Sequence, residues 1–520
     1  MQPSHRQILT IISGLMLGMF LAALDQTIVA TAMRTIADDL DGLSLQAWVS
    51  TAYLITSTVS MPLYGKLSDL YGRKPLFLAA ISIFIAGSMF CTLSTSMYGL
   101  AALRAVQGLG AGGLMSLAFA ILADIVPPRE RARYQGYFLA VFATSSVAGP
   151  LIGGFLAGGA GWRWIFVINV PIGLAALYVV ARVLNVPHAR RDHRVDWLGA
   201  VTLVTGVVPL LVVAEQGRGW GFGSGAAVAC YLLGAAGLGA WLLVERRMGD
   251  DALIPLRLFR GAAFSLAAIV TLLLGVAMFG GMMTIPLYFQ IVRGASPTQS
   301  GLMLLPLMAG LVIASIGSGR VIARTGHYRI FFVVGTALIS LASLSLHLLL
   351  DVGTPLPVLS ALLVLLGLGL GGSMQPLTLA VQTAAPPRDM GVATSSATFL
   401  RQMGGTLGVA VFVSVLFGTV GDRIASAMAA ALPDPGFRAA LRAAGGRLPT
   451  GVIDDSSFLH LLDPRLAAPF KVGFAAAMRP VFLLIAIVAA AGFLMALLVK
   501  ELPLRTMSGL QAREHERTTT

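Results

Sequence analysis

The stretch GKLSDLYGRKPL, Gly65 to Leu76, decides how this chain is read. It lies between two apolar runs, Trp48 to Tyr64 and Pro75 to Thr92, yet carries Lys66, Asp69, Arg73 and Lys74 within nine residues. Each flanking run has close to the 20 or so apolar residues a helix needs to cross about 30 Å of hydrocarbon. The whole chain continues this pattern. Its 520 residues are 57% hydrophobic and only 11% charged, with a mean hydropathy of +0.84, whereas a soluble domain is roughly one quarter charged. These values indicate an integral membrane protein. Cys91 and Cys230 both fall inside apolar runs, which excludes a disulfide framework and points to buried thiols. The first run, 8–31, is too long for the core of a cleaved signal peptide and reads as a retained span.

Working outward, candidate spans fall near 9–31, 45–64, 75–94, 98–123, 134–158, 164–182, 197–215, 225–244, 263–290, 299–322, 330–350, 355–380, 393–419 and 478–499. The short alternating segments of a membrane barrel are absent, so the expected fold is all-α. Lysine and arginine set the orientation. Alternate short loops hold Lys66, Arg73, Lys74, Arg129, Arg131, Arg133, Arg182, Arg190, Arg191, Arg194, Arg246, Arg247, Arg257, Arg260, Arg320, Arg324, Arg329 and Arg388, while the others hold only Arg34, Arg163, Arg218 and Arg293. Both termini are therefore expected in the cytoplasm. The formal charge of +13 is spread over loops without interleaved aromatics, which argues against a nucleic-acid surface.

The opening stretch has an echo. GRVIARTGHYRIF, Gly319 to Phe331, repeats the glycine spacing of Gly65 and Gly72 in Gly319 and Gly326, with a basic flank. Two related six-span bundles follow, with one pair of spans inserted between them. The expected divisions are 1–195 for the first bundle, 196–250 for an inserted hairpin, 251–505 for the second bundle with a long outer loop at 420–476, and 506–520 for a cytoplasmic tail.

At this point the residues carry a resemblance. GKLSDLYGRKPL looks like the signature loop between spans 2 and 3 of the major facilitator superfamily. LDQTIVATAM (Leu24 to Met33), RAVQGLGAGG (Arg104 to Gly113), AGPLIGG (Ala148 to Gly154), GWRWIFVINVPIG (Gly161 to Gly173) and SATFLRQMGGTLG (Ser396 to Gly408) resemble signatures of its fourteen-span drug:proton antiporter branch. The resemblance implies a multidrug efflux protein of the cytoplasmic membrane, a secondary transporter rather than an enzyme. It implies no cofactor, a proton gradient as energy source, and a monomer working alone or with accessory envelope proteins.

Physical reasons attach to each motif. Gly65 and Gly72 permit close backbone approach, and Asp69 and Arg73 are four apart, able to pair on one helical face. With Lys74, Asp124 and the N-terminus of span 13 near Thr394 and Ser395, they form what the resemblance implies is a cytoplasmic latch; simple positive-inside bias is the alternative for the basic residues. Ala323 stands where the second copy would have its acid, so the latch is one-sided. Asp25 is the carboxylate best placed to carry a proton at membrane depth, where burial disfavours its charged form and a neighbouring arginine favours it. Arg104 is its expected partner; a purely structural charge pair is a compatible reading. Gly149, Pro150, Gly153 and Gly154 belong to the motif associated with antiport, and tight helix packing accounts for the same residues.

For cargo, Gln107, Met282, Met283, Phe289, Gln290, Met374, Gln375 and Arg401 are expected to line a cavity that takes neutral or monocationic amphipaths. Glu215, on the hairpin, is an acid whose relation to that cavity is open. Arg34 stands where the family usually has proline, so span 1 is expected to be less kinked. An alternative of the same mechanism is export of lipid or an endogenous metabolite. A membrane enzyme would need a metal or nucleophile constellation, which the sequence lacks.

Overall fold

The computed structural model describes residues 5–41, 45–184, 196–386, 389–443 and 462–504. Among them every regular element is a helix. In chain order they are α1 (His5–Asp39), α2 (Gln46–Tyr71), α3 (Arg73–Thr92), α4 (Met97–Ile125), α5 (Pro128–Phe155), α6 (Trp164–Val167), α7 (Asn169–Val183), α8 (Trp197–Trp220), α9 (Gly225–Met248), α10 (Ala262–Leu287), α11 (Pro297–Met303), α12 (Leu305–Thr325), α13 (Arg329–Leu349), α14 (Leu356–Ala384), α15 (Met390–Ala431), α16 (Pro435–Ala443) and α17 (Pro464–Leu498). Short 3₁₀ turns and two π-helical turns, Leu156–Ala160 and Tyr288–Val292, complete the set.

Thirteen helical segments among the described residues are long and apolar enough to cross a membrane. The exception among the long helices is α2, which carries Thr51, Thr56, Ser57, Thr58 and Ser60. Its hydroxyls are largely satisfied within the helix: Thr56 donates to the Ala52 carbonyl at 2.9 Å and Thr58 to that of Leu54 at 2.7 Å. Turning the polar atoms back onto the helix lets such a segment sit in an apolar setting.

Packing sorts the helices. In the first half, α4 packs on α2 and α3, and α1 on α5 and α7; in the second, α14 packs on α12 and α13, while α10, α15 and α17 pack on one another. Contacts between the two sets run through α5 against α12 and α14, and α15 against α2 and α4. The hairpin α8–α9 leans on this seam: Ala200, Leu203, Val207 and Leu211 of α8 share a cluster with Ile55, Val59 and Met61 of α2 and Phe399 of α15. Residues 185–195 and 505–520, where one expected division and the tail fall, lie outside the described residues.

The expected loop at 420–476 needs correction. Helix α15 runs on to Ala431, α16 follows, and α17 already begins at Pro464, leaving only 444–461 outside the described residues. At 42 residues α15 is about 63 Å long, twice a hydrocarbon core. Phe437, Ala440 and Leu466 bury against each other, and Gly473 lies against Ile424, so the ends of α15 and α17 continue packing beyond bilayer depth.

Candidate functional site

Two charge clusters occupy the first half. The deeper one is built on α1, α4 and α7. The side chains of Asp25 and Arg104 are almost completely enclosed, at 0% and 2% exposure, and form an ion pair. Arg104 Nη1 also donates to Gln107 Oε1 at 2.7 Å, and Gln107 Nε2 donates to Asp25 Oδ1 at 2.9 Å. Asn169 Nδ2 donates to the same Asp25 oxygen at 2.8 Å and to Ser88 Oγ at 3.0 Å. The guanidinium carbon of Arg104 sits 4.1 Å from the centroid of the Tyr53 ring. A buried ion pair is tolerable only when its remaining hydrogen-bonding capacity is met, and here amides from two helices meet it.

Gln107 therefore belongs to this network rather than to a cavity lining, which corrects the expectation from sequence. Its i+3 spacing from Arg104 aims both at one carboxylate. Asn169 and Tyr53 were not singled out by sequence reasoning. The signal for Asn169 was present: an amide in the apolar run INVPIG needs a partner once buried.

The second cluster closes the arginine-rich end. Only Gly72 separates α2 from α3, at φ 96°, a conformation that glycine adopts without strain. This break brings Arg73 Nη2 to Asp69 Oδ1 at 2.6 Å and Arg73 Nε to Asp124 Oδ2 at 2.8 Å; Ser68 Oγ accepts from Arg73 as well. The second oxygen of Asp69 accepts from the Val392 N–H at 3.1 Å, in the first turn of α15, two residues before the expected Thr394. A carboxylate on unpaired N–H groups at a helix start is favourable for both. Gly65 lies so close to α15 that an added Cβ would stand 2.6 Å from that of Ser395. Lys74 is half-buried beside this cluster. Arg131 adds a second bridge, donating to Gln382 Oε1 of α14 at 3.1 Å and to the Val126 carbonyl at 2.8 Å. That residue appeared in sequence only as one loop arginine among many.

Of the glycine-proline motif, Gly149 and Gly153 face α1: an added Cβ would approach Thr27 Cβ to 2.5 Å at the first and the Ile28 carbonyl oxygen to 3.0 Å at the second. Gly154, Gly158 and Gly159 face nothing within 4 Å. Pro150 lies inside α5. Thr27 Oγ1 donates to the Ser145 carbonyl across the same contact, at 3.0 Å.

The expected cavity residues divide. Phe289 and Met374 are buried in the core of the second half, and Met282 packs against it. Gln290 is half-buried and Met283 is 44% exposed. Gln375 is buried at the seam, donating to the Gln135 carbonyl of α5 at 3.4 Å. Arg401 reaches from α15 toward α4, its guanidinium 5.8 Å from the Phe119 ring centroid. The side chain of Glu215 lies outside the described residues, and Cys230 is half-buried rather than enclosed.

Comparisons agree with this architecture. A family model described as Major Facilitator Superfamily matches residues 15–409. An uncharacterised MFS-type transporter of Mycobacterium tuberculosis is 38% identical over 507 residues, 97% of this chain and 71% of the relative. The multidrug transporter protein MdtP of Bacillus subtilis is 33% identical over 395 residues, covering 75% and 72%. Multidrug resistance protein 3 of the same organism is 34% identical over 396 residues, covering 75% and 76%. Among solved structures, the proton:xylose symporter XylE superposes with a TM-score of 0.62 at 14% identity, covering 98% of this chain and 100% of that one. On the match to the family model and to these relatives, the chain belongs to the major facilitator superfamily and is a membrane transporter.

Proposed function

We propose that this transporter is a proton-coupled antiporter that exports amphipathic small molecules by alternating access. The observation that carries the reading is Asp25, a carboxylate enclosed at 0% exposure and held by Arg104, Gln107 and Asn169. A carboxylate at membrane depth is expensive to keep and is by default functional. Relatives named as multidrug transporters support export of varied small molecules.

The chemistry follows from the contacts. Ionised Asp25 holds α1, α4 and α7 together through its three partners. A proton on Asp25 cancels its attraction for Arg104 and frees the guanidinium to seek other acceptors. In the arrangement described here the carboxylate is shut off from water, so proton exchange requires these helices to shift. Titration and movement are thereby linked. At the other end, the bond from Val392 to Asp69 and the bridge from Arg131 to Gln382 hold the halves together and break when that end opens. With the arginine-rich loops in the cytoplasm, this is the inward gate of a cytoplasmic-membrane exporter.

The test is substrate transport in proteoliposomes under an imposed proton gradient, comparing the natural protein with Asp25→Asn. Export driven by the gradient should disappear in the variant, while its thermal unfolding midpoint shows that it remains folded. Gradient-driven accumulation by Asp25→Asn would remove Asp25 from the coupling step.

A further inference from the structure

Arg401 differs from the other arginines of the interior. Arg73, Arg104 and Arg131 each have carboxylate or carbonyl acceptors. For Arg401 the described residues supply the face of Phe119 and no hydrogen-bond acceptor or acid. It stands nine residues beyond Val392, about 13 Å along α15 from the latch, at membrane depth.

Its backbone is fixed. Glycines bring α10 and α15 together: a Cβ on Gly404 would meet the Leu272 carbonyl, one on Gly408 would lie 2.8 Å from that of Val276, and one on Gly275 would meet the carbonyl of Arg401 itself. The stem is thus anchored in the second half while the guanidinium rests against a ring of the first. Arg401 is half-buried, and its five N–H donors have no acceptor among the described residues, while Asp25, the enclosed acid of the first half, is already saturated by its own network.

We infer that Arg401 is the recognition residue for an anionic group on the cargo, so that the preferred substrates are amphipathic monoanions, with a carboxylate on the guanidinium fork and an aromatic or aliphatic body against Phe119. Planar bidentate recognition of a carboxylate is what guanidinium geometry suits. The inference rests on the export reading above and replaces the neutral or monocationic class expected from sequence, because the acid on which that expectation depended is enclosed with Arg104.

The experiment uses the full chain in phosphatidylcholine nanodiscs without any gradient, and three probes sharing one apolar body: pyrenebutyrate, pyrenebutyramide and pyrenebutyl-trimethylammonium. Empty nanodiscs provide the partition baseline. The carboxylate should bind about tenfold more tightly than the amide, the ammonium most weakly. Arg401→Gln should erase the carboxylate's advantage while leaving amide affinity within about twofold, and Arg401→Lys should retain part of it. Equal binding of the carboxylate and amide by the natural protein overturns the inference, as does an equal loss for all three probes in Arg401→Gln, which marks a packing role. Should Arg401→Gln fail to fold, the ranking of the probes by the natural protein decides alone. Because no gradient is applied, carboxylate preference without proton-driven export sinks the antiport reading only, and proton-driven export without that preference sinks this one only.

Discussion

At Gly149 a single missing methyl group sets how closely α1 and α5 approach. The space a Cβ would need is filled by Thr27, whereas Gly154, five residues on in the same motif, faces open space. Two substitutions of the same chemistry should therefore behave differently. Gly149→Ala should lower the thermal unfolding midpoint, with a cost of about 1–3 kcal/mol from overpacking, and Thr27→Gly, which removes the Cβ in the way, should recover part of the loss. Gly154→Ala should unfold within a degree or so of the natural protein. Thermal scans of the purified variants check both, and equal destabilisation at the two glycines would show that the contact with α1 is not what distinguishes them. The repeated glycines were legible as a packing motif, but not which of them face the partner helix. That depends on the rotation of α5, which an apolar, glycine-rich sequence leaves undetermined.

Among the elements, the break between α2 and α3 and the start of α15 form one unit. Asp69→Asn keeps the shape but removes the charge that serves both Arg73 and the Val392 N–H. Labelling of a cysteine placed on the seam from the arginine-rich side should become several-fold faster in Asp69→Asn and in Gly72→Val, the second through backbone strain at φ 96°. Unchanged labelling with intact transport would reduce the cluster to a charged loop. A different tie joins the end of α17 to the α12–α13 turn: Glu501 accepts from the Tyr328 N–H at 2.7 Å and the Arg329 N–H at 3.1 Å, and meets His327 at 3.2 Å. Partial burial alone would raise its pKa, but the Arg329 N–H, His327 and the Tyr328 N–H together hold it below the usual carboxylate range. A lowered folded pKa means that the contribution to stability is complete above the unfolded value and fades as pH falls through the folded one. Glu501→Gln should therefore lower the unfolding midpoint slightly at pH 7, since the group is partly solvated, and the difference should close under acid. A difference that grew with acid would reverse the assigned sign.

For the whole molecule, the charges at membrane depth limit the cargo. The only carboxylate among the described residues that is enclosed deep in the first half is neutralised by Arg104, and Arg401, at the seam, has no acid partner among those residues. A dication entering there would need about two compensating acids. In cells stripped of other pumps, the transporter should give less resistance to bis-ammonium compounds than to monovalent or anionic amphipaths of similar size. Better protection against the dications would mean that an acid such as Glu215 reaches the pathway.

The sequence alone determined that this is an all-helical membrane protein with spans near the observed helices, because apolar length and loop charge are local properties that the bilayer reads directly. It also marked Asp25, Arg104, Asp69, Arg73 and Asp124, since ionisable residues are conspicuous in so apolar a chain. Tertiary structure decided the rest. Gln107 and Asn169 complete the Asp25 shell from α4 and α7, Val392 rather than Thr394 meets Asp69, and α8 settles where α2 meets α15. Each is a pairing between residues distant in sequence, fixed by how helices rotate and approach one another, and hydropathy is nearly silent about rotation when every face is apolar.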